Sequence, residues 1–588
     1  MTRRLPVLAL VAAIVVTLAP ASPATAASSF TFHGSGYGHG LGMSQWGAHG
    51  LARMGWNHPK ILTHFYRGTT VERRADLPRQ IRVELTSGRT SIRLRAEGGP
   101  VRLWVGQPLT GRPVTKIPKG KTWTVKVKGS SYAIRNGAGT LIGDRTWGGP
   151  NRHLFATYAD RGSRVFVPEA DEIWGRGFTY SRGHLEFNLY ACGSGCRQRL
   201  VLPVRFEEYL YGLAEVPTSW PIETLRAQAV AARSYAAATM AKGLRASCNC
   251  HLADGAGDQV YAGYTREGGT GGARWVGAVD DTARKVVTYR GDVIQAFYAA
   301  SDGGHSENVE DVWHGGNTAY SLPWLKGVCD PGESTDGNPW TVWKKRYSAS
   351  EVTSRLAPST GSIGTVTSFG RAERGRSGRI VSIVVKGTGG NRTIKGSSLK
   401  SALSLYDTRV WINADRTVVP GPIREKYDAL MCKPGLATSK QIRLDGGRQQ
   451  LFRTGGIFRT DAAKLTLWLR GALFGEYRQV GTGRGVLGLP TTKVVNMAGS
   501  TGQRRAVACS ACSRIGFEGG RIYWKSGVGA HALWGRVLKA YLDRAGAGGG
   551  LGFPTTRVRS MADGGTRARF EGGTIACPKG QTCSVALR

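Results

Sequence analysis

Acidic side chains are scarce in this sequence: 40 Asp plus Glu stand against 80 Lys plus Arg in 588 residues, a formal charge of +40. That shortage leaves a field that attracts polyanions. Long apolar runs are also lacking. The one continuous stretch, from Leu5 to Leu18, is shorter than the ~20 residues a bilayer span needs, and no later window is both long and uncharged. A membrane-spanning helix is therefore not expected in the mature chain. Residues 30 to 70 are rich in glycine, yet no strand, Lys or Thr completes a phosphate-cradling loop among them. A nucleotide site there is set aside.

What is present at the start reads as a signal peptide over residues 1–26. Arg3 and Arg4 precede the apolar stretch, and Ala24-Thr25-Ala26 supplies the small residues a signal peptidase requires, with cleavage after Ala26. The mature protein is thus expected to be soluble and exported. The polyanions it would meet are wall carboxylates and wall-linked phosphate polymers, and nucleic acid is not an expected partner. Ten cysteines, an even number in an oxidising compartment, make disulfides the default. Sequence neighbours suggest Cys192 with Cys196, Cys509 with Cys512 and Cys577 with Cys583, leaving Cys248, Cys250, Cys329 and Cys432. Cys248, Cys250 and His251 could instead hold zinc, which favours sulfur and nitrogen ligands.

A chain of this length exceeds what one core organises, and two to four domains are expected. Ile81-Arg-Val-Glu-Leu, Ile92-Arg-Leu-Arg, Val101-Arg-Leu-Trp-Val and Trp123-Thr-Val-Lys-Val alternate apolar and polar residues, the pattern of strands with one buried face. The clearest helix opens at Pro221. Ile222, Leu225, Ala229, Ala232, Ala236 and Met240 share one stripe at helical spacing, and Gly243 offers a stop. Its small alanines imply close packing. Arg226 and Arg233, seven residues apart at the stripe's edge, either reach into a cleft or snorkel to solvent. Strands resume at Lys285 and Val293, and again near Gly364 and Arg379, so the expected fold class is α+β, a mixed β-rich body around a buried helix. Beyond about residue 420 the chain repeats itself: Leu487-Gly-Leu-Pro-Thr-Thr recurs as Leu551-Gly-Phe-Pro-Thr-Thr, and Phe517-Glu-Gly-Gly as Phe570-Glu-Gly-Gly. Units of that length stack, because each alone buries too little apolar surface.

For chemistry, Glu215 is the residue to watch. It sits between an apolar run and the turn that opens the buried helix, where partial desolvation raises a carboxyl toward the range of a general acid. The alternative is an electrostatic partner of the helix N-terminus. Glu207 and Glu208 read as surface residues beside Tyr209.

The stretch from Glu207 through Ala238, with Glu208-Tyr-Leu, Ala214-Glu-Val-Pro and Leu225-Arg-Ala-Gln-Ala-Val-Ala-Ala-Arg-Ser-Tyr, resembles the signature of the stage II sporulation protein D and amidase-enhancer family. Asp258-Gln-Val-Tyr, the run Ala296–Asn308 and Asp311-Val-Trp continue the likeness. Gly36–Ala48 is similar to the family as well, but out of order: the motif usually closes the domain and here it opens the mature chain. A circular permutation accounts for the swap if the domain's two ends are close in space. On this reading residues 27–420 are the catalytic domain, with a β-rich insertion at 72–190, and 421–588 form a repeat module.

The resemblance implies a peptidoglycan lytic transglycosylase with Glu215 as its catalytic residue. It further implies that Arg226, Gln228, Arg233, Tyr298, Ser301, His305, His39 and Gln45 bind sugar or orient that glutamate, and that no cofactor is required. His39 equally reads as a buttress of close backbone packing. The tail resembles Leu-Gly-Phe-Pro repeats of exported proteins, which implies tethering to anionic wall polymers. A non-catalytic activator of a wall amidase and a plain wall-binding protein are the rival expectations.

Overall fold

The computed structural model describes residues 28–106, 110, 113–170, 174–498 and 509–588. The expected signal peptide lies outside the described residues. None of the helices described is long and apolar enough to cross a membrane. The chain is α+β, with a repeat region at its C-terminal end.

The alternating segments form two facing sheets. One has seven strands in the order Leu252–Ala253, Gln80–Arg89, Arg197–Arg205, Leu185–Tyr190, Leu154–Tyr158, Val101–Val105, Thr115–Ile117. The other has five: Phe178–Tyr180, Arg164–Val167, Ser91–Glu97, Thr122–Lys128, Ser131–Arg135. Period-two alternation drives Ile81, Val83 and Leu85 from the first sheet and Ile92, Leu94 and Ala96 from the second into one core.

Four helices matter for the site: α1 (Gln45–Arg53), α2 (His58–Phe65), α3 (Phe206–Tyr211) and α4 (Ile222–Met240). α4 begins one residue later than expected, with Pro221 as its cap, and Gly243 follows its end with φ +82. It differs from the expected single-stripe helix in being buried on two faces. Leu225, Ala229, Ala232 and Ala236 pack into the core of the β-rich part, while Ala227, Val230 and Ala231 pack against α1, α2 and Val287. Alanine suits a helix clasped from both sides, since it lets neighbouring backbones approach closely while burying no polar group.

A third core gathers around the strand Ser29–Gly34, which pairs on one side with Trp343–Ser348 and on the other with Val410–Ile412. Phe32 faces Ile412 and Gly34 faces Val410, so the two ends of the segment 27–420 lie side by side. Nearby, Tyr298–Ala299 pairs in parallel with Met43–Ser44, and Tyr37 bridges to Ser301. These pairings bring the glycine-rich opening motif against the run Ala296–Asn308.

Among the described residues the tail contains three four-stranded antiparallel sheets, one more than the repeated motifs suggest. The motifs are joints between sheets. Leu487 and Leu489 pack between Phe458 of the first sheet and Ile515 and Ile522 of the second, and Leu551 and Phe553 pack between Tyr523 of the second and Phe570 of the third. In each joint the glutamate of the Phe-Glu-Gly-Gly motif accepts a backbone N–H of the proline motif, Glu518 from Leu489 at 2.7 Å and Glu571 from Phe553 at 2.9 Å. Gly488 has φ +64 and a side chain there would run into Glu518, which is why glycine occupies it.

All ten cysteines are paired: Cys192–Cys196, Cys509–Cys512 and Cys577–Cys583 as their spacing suggested, together with Cys248–Cys250 and Cys329–Cys432. The zinc alternative needs Cys248 and Cys250 as free thiolates. Cys248 and Cys250 are bonded to each other, and His251 Nδ1 accepts the Arg82 N–H at 3.0 Å. That set does not present the thiolate and imidazole donors a tetrahedral zinc needs.

Candidate functional site

Glu215 follows α3 and precedes the turn into α4, in a half-buried position. Its Oε1 accepts the Val260 N–H at 2.7 Å, and its Oε2 accepts from Gln45 Nε2 at 3.4 Å. The Tyr298 hydroxyl is a third donor to the carboxyl. Burial pushes the Glu215 pKa up to about 7, against the opposing pull of the Val260, Tyr298 and Gln45 donors and the more distant Arg266 guanidinium. Desolvation wins because three neutral donors recover only part of what water gives a carboxylate. No second carboxylate stands among the groups acting most strongly on it.

Two of these donors are held by further contacts. Gln45 opens α1, whose N-cap Ser44 accepts the Gly47 N–H at 2.9 Å, and its amide also reaches Gln228 Oε1 at 3.4 Å. Gln228 is fully buried on α4, and its Nε2 has no partner. Tyr298 accepts from Gln259 Nε2 at 2.7 Å, and Gln259 Oε1 accepts from the Tyr209 hydroxyl at 2.9 Å. This chain from α3 through Gln259 fixes the phenol so that its proton points at Glu215. Burial foremost, with the Glu215 charge, raises the Tyr298 hydroxyl far above its ordinary value, so it stays a donor.

His39 belongs to the next layer. Its Nδ1 accepts the Leu41 N–H at 3.0 Å and its other ring nitrogen bonds the Tyr298 backbone. Burial, reinforced by Lys400 and Arg379, lowers its pKa to about 4, so the ring is neutral. It packs beside Trp313, with ring centres 5.7 Å apart.

The remaining residues singled out from the sequence do not touch Glu215. Arg233 is buried and turns to Glu207, donating at 2.9 Å, and to the carbonyls of Lys285 and Val279. Arg226 pairs with Glu223 and Asp281, each at 2.5 Å. Ser301 donates to Glu333, and His305 contacts the Ser306 carbonyl at 2.6 Å in a separate buried cluster.

Three further groups serve the site that the sequence reading did not single out. Val260 and Gln259 lie within the Asp258–Tyr261 motif, whose spacing gave no hint of which atoms face the glutamate. Arg266 donates to the Val216 carbonyl at 2.7 Å and sits over the Trp275 ring, and burial lowers its pKa to about 10. At the head of α4, Trp46 and His49 both lie 4.7 Å from the Trp220 ring, forming an aromatic group beside Gln45.

A buried helix is thus flanked by a desolvated glutamate with fixed neutral donors in an α+β body. Residues 196–289, which hold Glu215 and α4, match the Stage II sporulation protein family, and residues 487–549 match the LGFP repeat. The chain thus carries a stage II sporulation protein domain followed by LGFP repeats. It is similar to the amidase enhancer of Bacillus subtilis (strain 168), 34% identical over 22% of this chain and 15% of that protein. It is also similar to the stage II sporulation protein D of the same organism, 26% identical over 34% of this chain and 58% of the relative. An uncharacterized protein of Brachyspira hyodysenteriae is 28% identical over 35% of this chain and 52% of its own length. The chain spans little more than half of the latter two relatives, and much less of the amidase enhancer.

Proposed function

We propose that this protein is a lytic transglycosylase acting on the glycan strands of peptidoglycan at the cell wall, with Glu215 as general acid and then general base. The observation that carries this is the raised pKa of Glu215, about 7, in a half-buried position with three fixed donors. A carboxyl near that value is protonated often enough to give a proton and basic enough to take one back.

In the first step Glu215 protonates the oxygen joining N-acetylmuramic acid to N-acetylglucosamine, and the bond from the muramoyl anomeric carbon to that oxygen breaks. In the second the Glu215 carboxylate takes the proton of the muramoyl C6 hydroxyl, whose oxygen bonds to the anomeric carbon. The products are a 1,6-anhydro end and a free N-acetylglucosamine hydroxyl, and the glutamate is returned protonated. The nucleophile belongs to the substrate, so one carboxylate suffices, unlike the two that glycoside hydrolases generally use. No cofactor enters either step. Val260, Gln45 and Tyr298 stabilise the carboxylate between them, and the half-buried Trp46 beside Gln45 offers an apolar face on which a sugar ring can rest. The LGFP repeats and the charge of +40 support retention on anionic wall polymers.

The test is product analysis. The purified protein and its Glu215→Gln variant are incubated with peptidoglycan, both intact and stripped of stem peptides, and anhydro-muropeptides and anhydro-sugars are sought by mass spectrometry. The expected outcome is anhydro product from the wild type alone; its absence from both substrates sinks the reading. The name of the amidase enhancer relative favours a second reading, a non-catalytic activator, and in that case a wall amidase is stimulated equally by both proteins.

A further inference from the structure

Behind the glutamate lies a second cluster that the proposed chemistry does not use. Asp302, Asp330 and Glu333 are 1%, 0% and 0% exposed, and each offers a carboxylate oxygen within 4.8 Å of the others. None of the three has an ion pair among the described residues. The nearby guanidiniums are largely engaged elsewhere: Arg379 with Asp407 and the carbonyls of Asp302 and His305, Arg409 with Ser35 and the carbonyls of Ser377 and Gly303, and Arg424 through its Nε with Asp428, its Nη2 having no partner.

The two aspartates are held alike. Asp302 Oδ1 accepts the Gly304 N–H at 2.7 Å and Asp330 Oδ1 accepts the Gly332 N–H at 2.9 Å, while the Oδ2 atom of each is buried and has no partner. Glu333 is steadied by Ser301, by Asn338 at 2.9 Å and by Ser44 at 3.0 Å. Three buried carboxylates so close together must be neutralised, because each unpaired charge loses its hydration. One shared proton settles a pair, and the third still leaves surplus negative charge. A set of oxygen donors alone, without nitrogen or sulfur, suits a hard cation. Calcium accepts a cage built from protein oxygens alone, whereas magnesium usually keeps several of its waters and takes only one or two carboxylates, so three buried carboxylates favour calcium.

We propose that Asp302, Asp330 and Glu333 form a buried calcium site that clamps the loop after Tyr298–Ala299 and the turn Pro331–Ser334 to the start of α1. Ser44 ties Glu333 to the residue before Gln45, and Asp302 lies four residues after Tyr298. The clamp therefore holds both side-chain donors to Glu215 in register. It is a structural site, and it stands whether or not the protein cleaves glycan.

The experiment uses the full secreted chain. Metal content is measured by mass spectrometry as purified and after dialysis against EGTA, and thermal unfolding is followed as calcium chloride is added back. One calcium per chain, and a melting midpoint that falls by several degrees with EGTA and returns with calcium, is the expected result. Asp302→Asn and Asp330→Asn should lose the calcium response. Asp336→Asn, at a side chain 96% exposed just beyond the turn, should keep it. If the folded wild type binds no calcium and its midpoint is unmoved by calcium at millimolar concentration, the clamp is overturned, whatever the variants do. Stabilisation by acid alone, unchanged by calcium, would show that protons neutralise the cluster instead.

Discussion

Glu215 is a residue whose placement costs stability. Its carboxyl carries a pKa of about 7 in the folded chain against an ordinary 4.5, so the folded state holds the proton more tightly than the unfolded one. By linkage, the site is least costly below about pH 4.5, and stability is lost as pH rises from there through about 7. Glu215→Gln keeps the shape and removes the charge. It is expected to melt at the same temperature as wild type near pH 4 and higher at pH 8, by up to about 3 kcal/mol; equal midpoints at both pH values would contradict a desolvated carboxyl. Tyr298→Phe removes a donor that favours the carboxylate, so the pKa of Glu215 must rise. If Glu215 is the acid, activity falls as pH climbs through about 7, and in Tyr298→Phe this falling limb moves to higher pH, checked by kcat/KM measured across pH 5 to 9.

At the scale of elements, α4 organises the site without facing it through its arginines. Clasped from two sides, it has nowhere on its inner faces for a guanidinium to reach water, and Arg233 is satisfied by Glu207 of α3 and two carbonyls. The pair joins α3 to α4, and Glu215 sits in the connection between them. Glu207→Ala leaves a buried cation short of its counter-charge, and a loss of about 3 kcal/mol is expected in chemical denaturation. Arg233→Met, which removes the buried charge and leaves Glu207 in contact with solvent, is expected to cost less. The reverse order would show that the ion pair does not hold the two helices together.

Across the whole molecule, the body and the tail are coupled. Cys329 of the body is bonded to Cys432, 103 residues on, and both lie in a small core with Ile423 and Tyr427 of the helix Pro422–Ala429 and Phe452 and Ile457 of the first repeat sheet. A cross-link closing a loop of that length restricts the unfolded chain strongly, by about 4–5 kcal/mol in the chain-entropy account. The double replacement Cys329→Ser, Cys432→Ser is expected to lower the unfolding midpoint and to let the tail melt before the body, seen as two calorimetric transitions in place of overlapping ones. At the same scale, the strand Ser29–Gly34 beside Val410–Ile412 meets the one geometric condition that a permuted domain requires, closeness of its two ends.

Local pattern made much of this legible. Period-two alternation marks strands of the two facing sheets, helical spacing marks α4, and three of the four short disulfides follow from sequence neighbours, because each depends on interactions a few residues apart. Glu215 stood out for the same reason, lying where an apolar run meets a helix start. Its partners were decided only in three dimensions: Val260 is 45 residues away and Gln45 is 170. Whether Arg233 faced a cleft, solvent or Glu207 depended on α4 being covered on both sides, which the stripe of one face does not reveal. The third repeat sheet escaped notice because the visible motifs are joints, and three sheets need only two. What the amino-acid order settled here was where the chain turns apolar; which polar atoms end up sharing the dry spaces was settled by packing, since burial and charge act through distance in space and not along the chain.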